Sequence, residues 1–370
     1  MNSYIFYGSK SEFEKKTPNN YRSLTDLVME LDVNKMLVQI EGQEHKDEKI
    51  QKVKVENFVA ESQEYAGVRE HVILNFVNFL AKMEVNNLFL HNPPVQISEQ
   101  IKRLYPYTVI EQQKYKSISE QALIDINDKY DDTVFGQHGV KQQLLKCLVP
   151  LILSTRTKPV VMLFYGSSGV GKTETANFIG DCLEEKIFRK QFSMFQNNQF
   201  STYLFGGSHY EKSFAKDLLG RESNVLLLDE FDKAYEVFHS AFYQLFDEGY
   251  FEDQNYAVTL EKSIIICTSN YKDIDEIRKE LGDAIYNRFD AVISFAELDD
   301  EAKSQIARTC IEATARSYKY EKDFELIEEY SNNLFKAVIS CKNAREIQHL
   351  VSDTFTLAYI QSIKEQIRAE

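Results

Sequence analysis

The chain has 370 residues, 43% of them hydrophobic, five cysteines and a formal net charge of −14. That length argues for two domains and that apolar fraction for a sizeable core, while the acidic balance excludes a protein held on nucleic acid by overall electrostatics. The cysteines (Cys147, Cys182, Cys267, Cys310 and Cys341) are scattered without a C-x-x-C pair, which suggests neither a zinc site nor a disulfide framework and fits a reducing compartment. Residues 1–10 lack the basic start and apolar core of a secretion signal, and the longest apolar runs, such as 148–153, are too short to span a membrane. A soluble, cytoplasmic protein is expected.

In chain order, residues 4–7 read as a strand and 36–40 as a better one, ending at Glu41-Gly42. Residues 53–56 alternate with period two, as a half-buried strand does. The stretch 68–82 carries Val72, Ile73, Phe76, Val77 and Leu80 at helical spacing. Residues 87–90 read as a strand that stops at Pro93-Pro94, 97–104 as a short helix and 107–110 as a further strand. This alternation predicts a small N-terminal α/β domain with some parallel pairing. His71 and His91 are isolated and read as structural, and the mixed charges of 41–52 read as a solvated loop. The aromatics lack an accompanying basic stripe and read as core. Residues 1–115 are expected to recognise a partner or substrate.

A polar linker, 116–130, carries a short helix over 119–128. Val134-Phe135-Gly136-Gln137 then leads into a helix with Leu144, Leu145, Leu148, Val149 and Ile152 on one face, and Pro159 breaks it from the apolar run 160–165. Residues 166–173 match G-x-x-x-x-G-K-[ST], followed from Glu174 by a helix-compatible run. Glycines let successive backbone N–H groups curl around a polyphosphate, and the following helix N-terminus adds positive potential. Lys172 is a point charge for the β- and γ-phosphates, and Thr173 offers a hydroxyl to Mg²⁺. Gly166, Ser168, Gly169, Val170, Gly171, Lys172, Thr173 and Glu174 are therefore the expected phosphate-binding residues.

Residues 190–194 read as a second strand. The run 225–228 is a fully buried strand that delivers Asp229 and Glu230 at its C-terminal end, where ligands bind in open α/β sheets. Asp229 is suited to the Mg²⁺ shell and Glu230 to polarising an attacking water. Residues 263–267 form another buried strand, tipped by Thr268-Ser269-Asn270, and the Asn270 amide is placed to orient that water. Asn287-Arg288-Phe289-Asp290 precedes a strand over 291–295, and an arginine there suits transition-state charge on a phosphate. From residue 298 the pattern is helical, ending in a helix that starts near Ala344-Arg345 and buries Ile347, Leu350, Val351 and Phe355.

Together these motifs resemble the AAA+ superfamily, and within it the Clp-type protein unfoldases of the ClpB class, over about residues 131–370. Val134 to Gln137 is similar to the adenine-contacting box, 226–234 (LLLDEFDKA) to Walker B and its tail, 268–270 to sensor 1, 287–290 to the arginine-finger box and Ala344-Arg345 to sensor 2. The resemblance implies a P-loop module with a parallel sheet between helices over 131–297, a helical lid over 298–370, and ATP and Mg as ligands. It also implies a homo-hexameric ring with ATP sites between subunits. By the same resemblance Val134, Phe135, Gly136 and Gln137 contact the base, Asp229 holds Mg²⁺, Glu230 is the base, Asn270 senses the γ-phosphate, Arg288 acts in trans and Arg345 in cis. The place of the family's aromatic pore loop is taken by Leu204-Phe205-Gly206-Gly207, which makes Phe205 the candidate for gripping a substrate polypeptide. The chain between Phe231 and Ser263 has no I-G-[FL] tripeptide for protease docking, and residues 1–115 are unlike the helical Clp N-domain. Two functions follow: an ATP-driven remodeller of a protein client held by residues 1–115, or a regulatory AAA+ switch or scaffold that controls a partner through nucleotide-dependent assembly. Neither membrane nor nucleic acid is an expected partner.

Overall fold

The computed structural model describes residues 1–35, 52–153, 156–194, 199–234, 236–317 and 333–369. Its strands, among these residues and in chain order, are β1 (Asn2–Tyr7), β2 (Arg22–Ser23), β3 (Val53–Ala60), β4 (Met83–His91), β5 (Val109–Gln112), β6 (Val160–Tyr165), β7 (Phe188–Gln191), β8 (Val225–Asp229), β9 (Tyr250–Glu252), β10 (Ala257–Thr259), β11 (Ile264–Thr268) and β12 (Ala291–Ser294). The chain divides into two compact units. One joins residues 1–116 to 195–224 and 240–261; the other joins 117–194, 225–239 and 262–370.

The first unit is built on a sheet of order β2-β3-β4-β1-β5 in which every pair is parallel. Parallel neighbours need crossover connections, and helices such as Val95–Leu104, between β4 and β5, supply them. Ile5, Phe58, Leu88 and Leu90 are fully buried in its core. The strand expected over 36–40 and nearly all of the loop expected over 41–52 lie outside the described residues. The helix expected over 68–82 is instead two short ones, Glu70–Leu74 and Phe76–Leu80, split at Asn75, where φ is −128° and ψ 39°. The Asn75 side chain donates to the His71 carbonyl at 3.2 Å, competing with the helical ladder. Gln100 stitches the break by donating to the Ile73 carbonyl at 3.0 Å and accepting from Val77 N–H at 3.3 Å.

The later segments of this unit form the helices Gln199–Phe205 and Phe214–Leu219 and the antiparallel hairpin β9–β10, which no sequence signal announced. They are tied to the N-terminal sheet: Val95 N–H donates to the Asn255 carbonyl at 2.8 Å, and His209 Nε2 lies 2.7 Å from the Val68 carbonyl. The Arg221 guanidinium sits 3.9 Å from the centre of the Tyr115 ring, whose hydroxyl donates to the Arg221 carbonyl at 3.1 Å.

The second unit holds a parallel sheet of order β12-β6-β11-β8-β7. β6, β8 and β11 are buried along their whole length, as continuous apolar runs covered on both faces must be. The second strand starts earlier than the expected 190–194: β7 ends at Gln191, and residues 192–194 turn as a 3₁₀ helix that buries Phe192 against Phe231, ring centres 5.7 Å apart. Ser119 caps the helix Glu120–Thr133 by accepting from Ala122 N–H. After β12 the described residues hold no strand. The helices Asp300–Ser317 and Ala344–Ala369 share a small core of Ala307, Val338, Ile347, Val351 and Phe355. No helix among the described residues is long and apolar enough to cross a membrane.

In the first unit, His91 is buried at the C-terminal end of β4, its ring stacked 4.6 Å from that of Phe13 and its Nε2 2.9 Å from the Gly8 carbonyl. Nδ1 has no partner among the described residues, so burial holds the imidazole neutral and lowers its pKa below the ordinary 6.5. The unfolded chain takes up a proton there that the folded chain refuses, so stability is lost as the pH falls through 6.5. Denaturant melts between pH 7 and pH 5 should show this slope, and His91→Gln should flatten it.

Candidate functional site

The site is assembled at the C-terminal ends of β6, β8 and β11. After β6 the chain turns at Gly166, whose φ is +135°; a Cβ there would lie 2.5 Å from the Phe295 carbonyl oxygen, so only glycine fits. Gly171, with φ +110°, starts the helix Lys172–Cys182, whose first residues Lys172, Thr173 and Glu174 face the same cavity. The buried Lys172 ammonium folds back over the loop, donating to the Gly166 and Ser167 carbonyls at 2.6 and 2.8 Å and to Asn270 Oδ1 at 3.2 Å. Burial lowers its pKa to about 8, against the opposing fields of Asp232, Asp229 and Glu230.

One hydroxyl organises the acidic tip of β8. Thr268, at the end of β11, accepts from the Glu230 N–H at 2.9 Å and donates to Asp229 Oδ1 at 2.5 Å. Glu230 has a left-handed backbone, φ +55°, an uncommon conformation for a non-glycine residue. Its carboxylate is held by side chains from and just beyond β7: Gln191 Nε2 donates to Oε2 at 3.1 Å. Hydrogen bonds from Ser193 and Gln191 keep its pKa below the usual carboxylate range, so it is ionised at neutral pH. Arg189, two residues before Gln191 and on the same face of β7, pairs with Asp229.

The C-terminal helices close the arrangement. Ala344 N–H donates to the Gly169 carbonyl at 3.0 Å, and Arg345 Nη1 to Ser168 Oγ at 3.2 Å. Behind the loop, the buried Gln137 amide donates to the Val170 and Ala296 carbonyls at 3.1 and 2.9 Å and accepts from Ala296 N–H at 3.0 Å. A Cβ on Gly171 would stand 3.2 Å from Val134 Cγ1 and one on Gly136 2.8 Å from Ala302 Cβ, so the 134–137 box is packed tightly beneath the turn.

The result is a cavity of about 270 Å³ lined by Ser168, Gly169, Gly171, Lys172, Thr173, Glu174, Asp229, Glu230, Asn270 and Arg345 among the expected residues. Arg189, Gln191, Thr268 and Gln348 also line it and were not anticipated. Arg189 and Gln191 reach it through strand pairing, Gln191 lying opposite Asp229 in the β7–β8 register, and Gln348 from the helix Ala344–Ala369. Arg288 is not brought to this cavity. It precedes β12, where Asp290 accepts from Val161 N–H at the start of β6, so it stands at the other end of the sheet and donates to the Ala284 carbonyl at 2.5 Å. Phe205 belongs to the first unit and ends the helix Gln199–Phe205, 47% exposed. Its carbonyl accepts from Gln254 N–H at 3.1 Å, and the Gly207 carbonyl from Asn255 Nδ2 at 2.8 Å.

The donor set suits Mg²⁺. No group of three or more His, Cys, Asp or Glu side chains able to cage a metal occurs among the described residues. Among the hydroxyls and carboxylates that line the cavity, Thr173 and Asp229 are the kind of pair that holds Mg²⁺ when phosphates supply the remaining oxygens.

Residues 157–334 match the family model described as AAA domain (Cdc48 subfamily). The chain is 27% identical over 238 residues to the chaperone protein ClpB of Mycoplasmoides gallisepticum, covering 58% of this chain and 33% of that protein. It is 24% identical over 302 residues to ClpB of Malacoplasma penetrans (73% and 41%), and 26% identical over 222 residues to the ATP-dependent Clp protease ATP-binding subunit ClpE of Bacillus subtilis (51% and 32%). The chain thus spans about a third of the length of the curated relatives it matches.

Two outcomes are expected from this geometry. A bound triphosphate favours the ammonium form of Lys172, whereas the free site releases the proton near pH 8. Triphosphate binding should therefore take up a proton above pH 8 and weaken by up to about tenfold per pH unit; calorimetry in buffers of different ionisation heat measures both effects. Thr268→Val leaves the Glu230 N–H unpaired. It should lower stability by about 1–3 kcal/mol in denaturant melts and slow turnover far more than it weakens nucleotide binding.

Proposed function

We propose, from the premise that residues 157–334 are a Clp-type AAA+ ATPase domain, that this chain binds and hydrolyses ATP and spends the turnover on remodelling a protein partner recognised by residues 1–115. The observation that carries the reading is the convergence of Lys172, Asp229, Glu230, Asn270 and Arg345 on one cavity from four separate stretches of chain.

In this reading the 166–173 turn and the helix N-terminus cradle the phosphates, with Lys172 and Arg345 as fixed positive charges. Thr173 and Asp229 hold Mg²⁺, which when bound neutralises phosphate charge. Glu230, ionised and fixed by Thr268, Gln191 and Ser193, accepts a proton from the attacking water. Asn270 orients that water and reports the γ-phosphate to Lys172 through their shared hydrogen bond. Arg288, at the far end of the sheet from its own site, serves a neighbouring subunit in a homo-hexamer, and Val134 to Gln137 border the adenine.

A second reading has a specific observation in its favour. The segment 204–207 is hydrogen-bonded to the 253–256 turn, which is itself bonded to Val95 at the start of the helix Val95–Leu104. A pore residue held in this way suits a ring that signals a nucleotide state to a partner rather than one that threads polypeptide. The experiment is ATPase and light-scattering measurement on the full chain and on Glu230→Gln and Phe205→Ala. The wild type should hydrolyse ATP with Mg²⁺. Glu230→Gln should bind ATP, assemble to six times the monomer mass and lose about two or more orders of magnitude in rate. If Phe205→Ala keeps ATPase activity but loses action on a client, the remodeller stands; if both persist, the switch reading replaces it. Wild-type turnover by Glu230→Gln would remove the catalytic assignment.

A further inference from the structure

β7 brings to the cavity a residue for which the hydrolytic reading has no task. Arg189 Nε donates to Asp229 Oδ2 at 3.1 Å, and its Nη2 reaches the same oxygen. The other carboxylate oxygen takes the Thr268 hydroxyl at 2.5 Å. Asp229 is thus engaged on both oxygens by the chain itself. The pair is lopsided: the Asp229 side chain is 9% exposed and that of Arg189 46%. The guanidinium can therefore leave for water at small cost, while the carboxylate stays in place beside Glu230. In the cavity Lys172 and Arg345 face three carboxylates, Glu174, Asp229 and Glu230, while Asp232 pairs with Lys233 at 2.9 Å, so Arg189 is the cation that offsets the surplus carboxylate.

We propose that Arg189 is a resident counter-cation of the site: it neutralises Asp229 until Mg²⁺ arrives with the nucleotide, and it must be displaced from Asp229 for the metal to be held. The inference rests on the cavity being a Mg·ATP site. Its consequence is a two-sided effect on affinity. Arg189 helps a metal-free nucleotide to bind and hinders the metal, because two cations crowded against the same carboxylate oxygen repel one another. A residue that merely shaped the cavity would move both affinities the same way.

The test is equilibrium binding, not turnover, on the full chain with a fluorescent ATP analogue, first in EDTA and then with Mg²⁺ titrated onto the protein–nucleotide complex. Arg189→Gln should weaken metal-free binding and lower the Mg²⁺ concentration for half-saturation, each by about tenfold, the worth of one charge-assisted hydrogen bond. Arg189→Lys keeps the charge without the two-pronged fork and should shift both constants in the same directions by less; it stands in if the glutamine variant does not fold. Opposite shifts support the assignment. Unchanged constants, or both affinities falling together, overturn it. A wild type that binds no nucleotide under either condition removes the nucleotide reading itself, a failure the comparison between wild type and variants keeps separate.

Discussion

A parallel strand buried on both faces has one place for a polar side chain, its end. β6, β8 and β11 obey this constraint along their whole length, and everything chemical in the second unit follows from it. Apolar residues fix the strands in a common direction; the first residues past each strand must then be the loop glycines, the paired carboxylates and the Thr268–Asn270 tip. Because the strands are neighbours, these tips meet. The Thr268 hydroxyl makes the meeting rigid by joining Glu230 N–H to Asp229 Oδ1, so the two acids at the tip of β8 are set by one atom of a different strand.

The parts of this site that could be read from the chain are those whose chemistry is contiguous. Gly166 to Thr173 encodes strand, turn and helix start in one stretch, and Asp229-Glu230 is announced by the apolar run before it. Arg189, Gln191 and Ser193 escaped because their contacts with Asp229 and Glu230 exist only through strand pairing: nothing local says that β7 lies beside β8 in the register that sets Gln191 opposite Asp229. The same reason hid Thr268 beside the more conspicuous Asn270. In the first unit the α/β alternation was legible, but helical spacing across 68–82 could not reveal that Asn75 would bond back to His71 and break the run. The β9–β10 hairpin is too short, at three residues a strand, to carry a periodic signal.

Arg288 and Phe205 mark a different boundary between sequence and structure. Both sit in recognisable surroundings, yet neither lines the cavity: the resemblance links Arg288 to a neighbouring subunit's site and Phe205 to a pore loop. Arg288 is anchored at the N-terminal end of the sheet by the bond from Val161 N–H to Asp290, and Phe205, the last residue of its helix, is held through its carbonyl by Gln254 N–H. A role for either depends on a second subunit or a partner.

The ties between the N-terminal sheet and the segments 195–224 and 240–261 bear on how such a chain is inherited. Asn255 spends its carbonyl on Val95, His209 reaches Val68, and Arg221 lies over Tyr115. Recombination that exchanged the first 116 residues for a foreign module would strip partners from all three at once. The front of the chain and these two inserts are therefore a single heritable block, although the segment holding β8 is interposed between the inserts in sequence. Change in that block is compatible with the fold by substitution that keeps these contacts rather than by exchange of residues 1–116 alone.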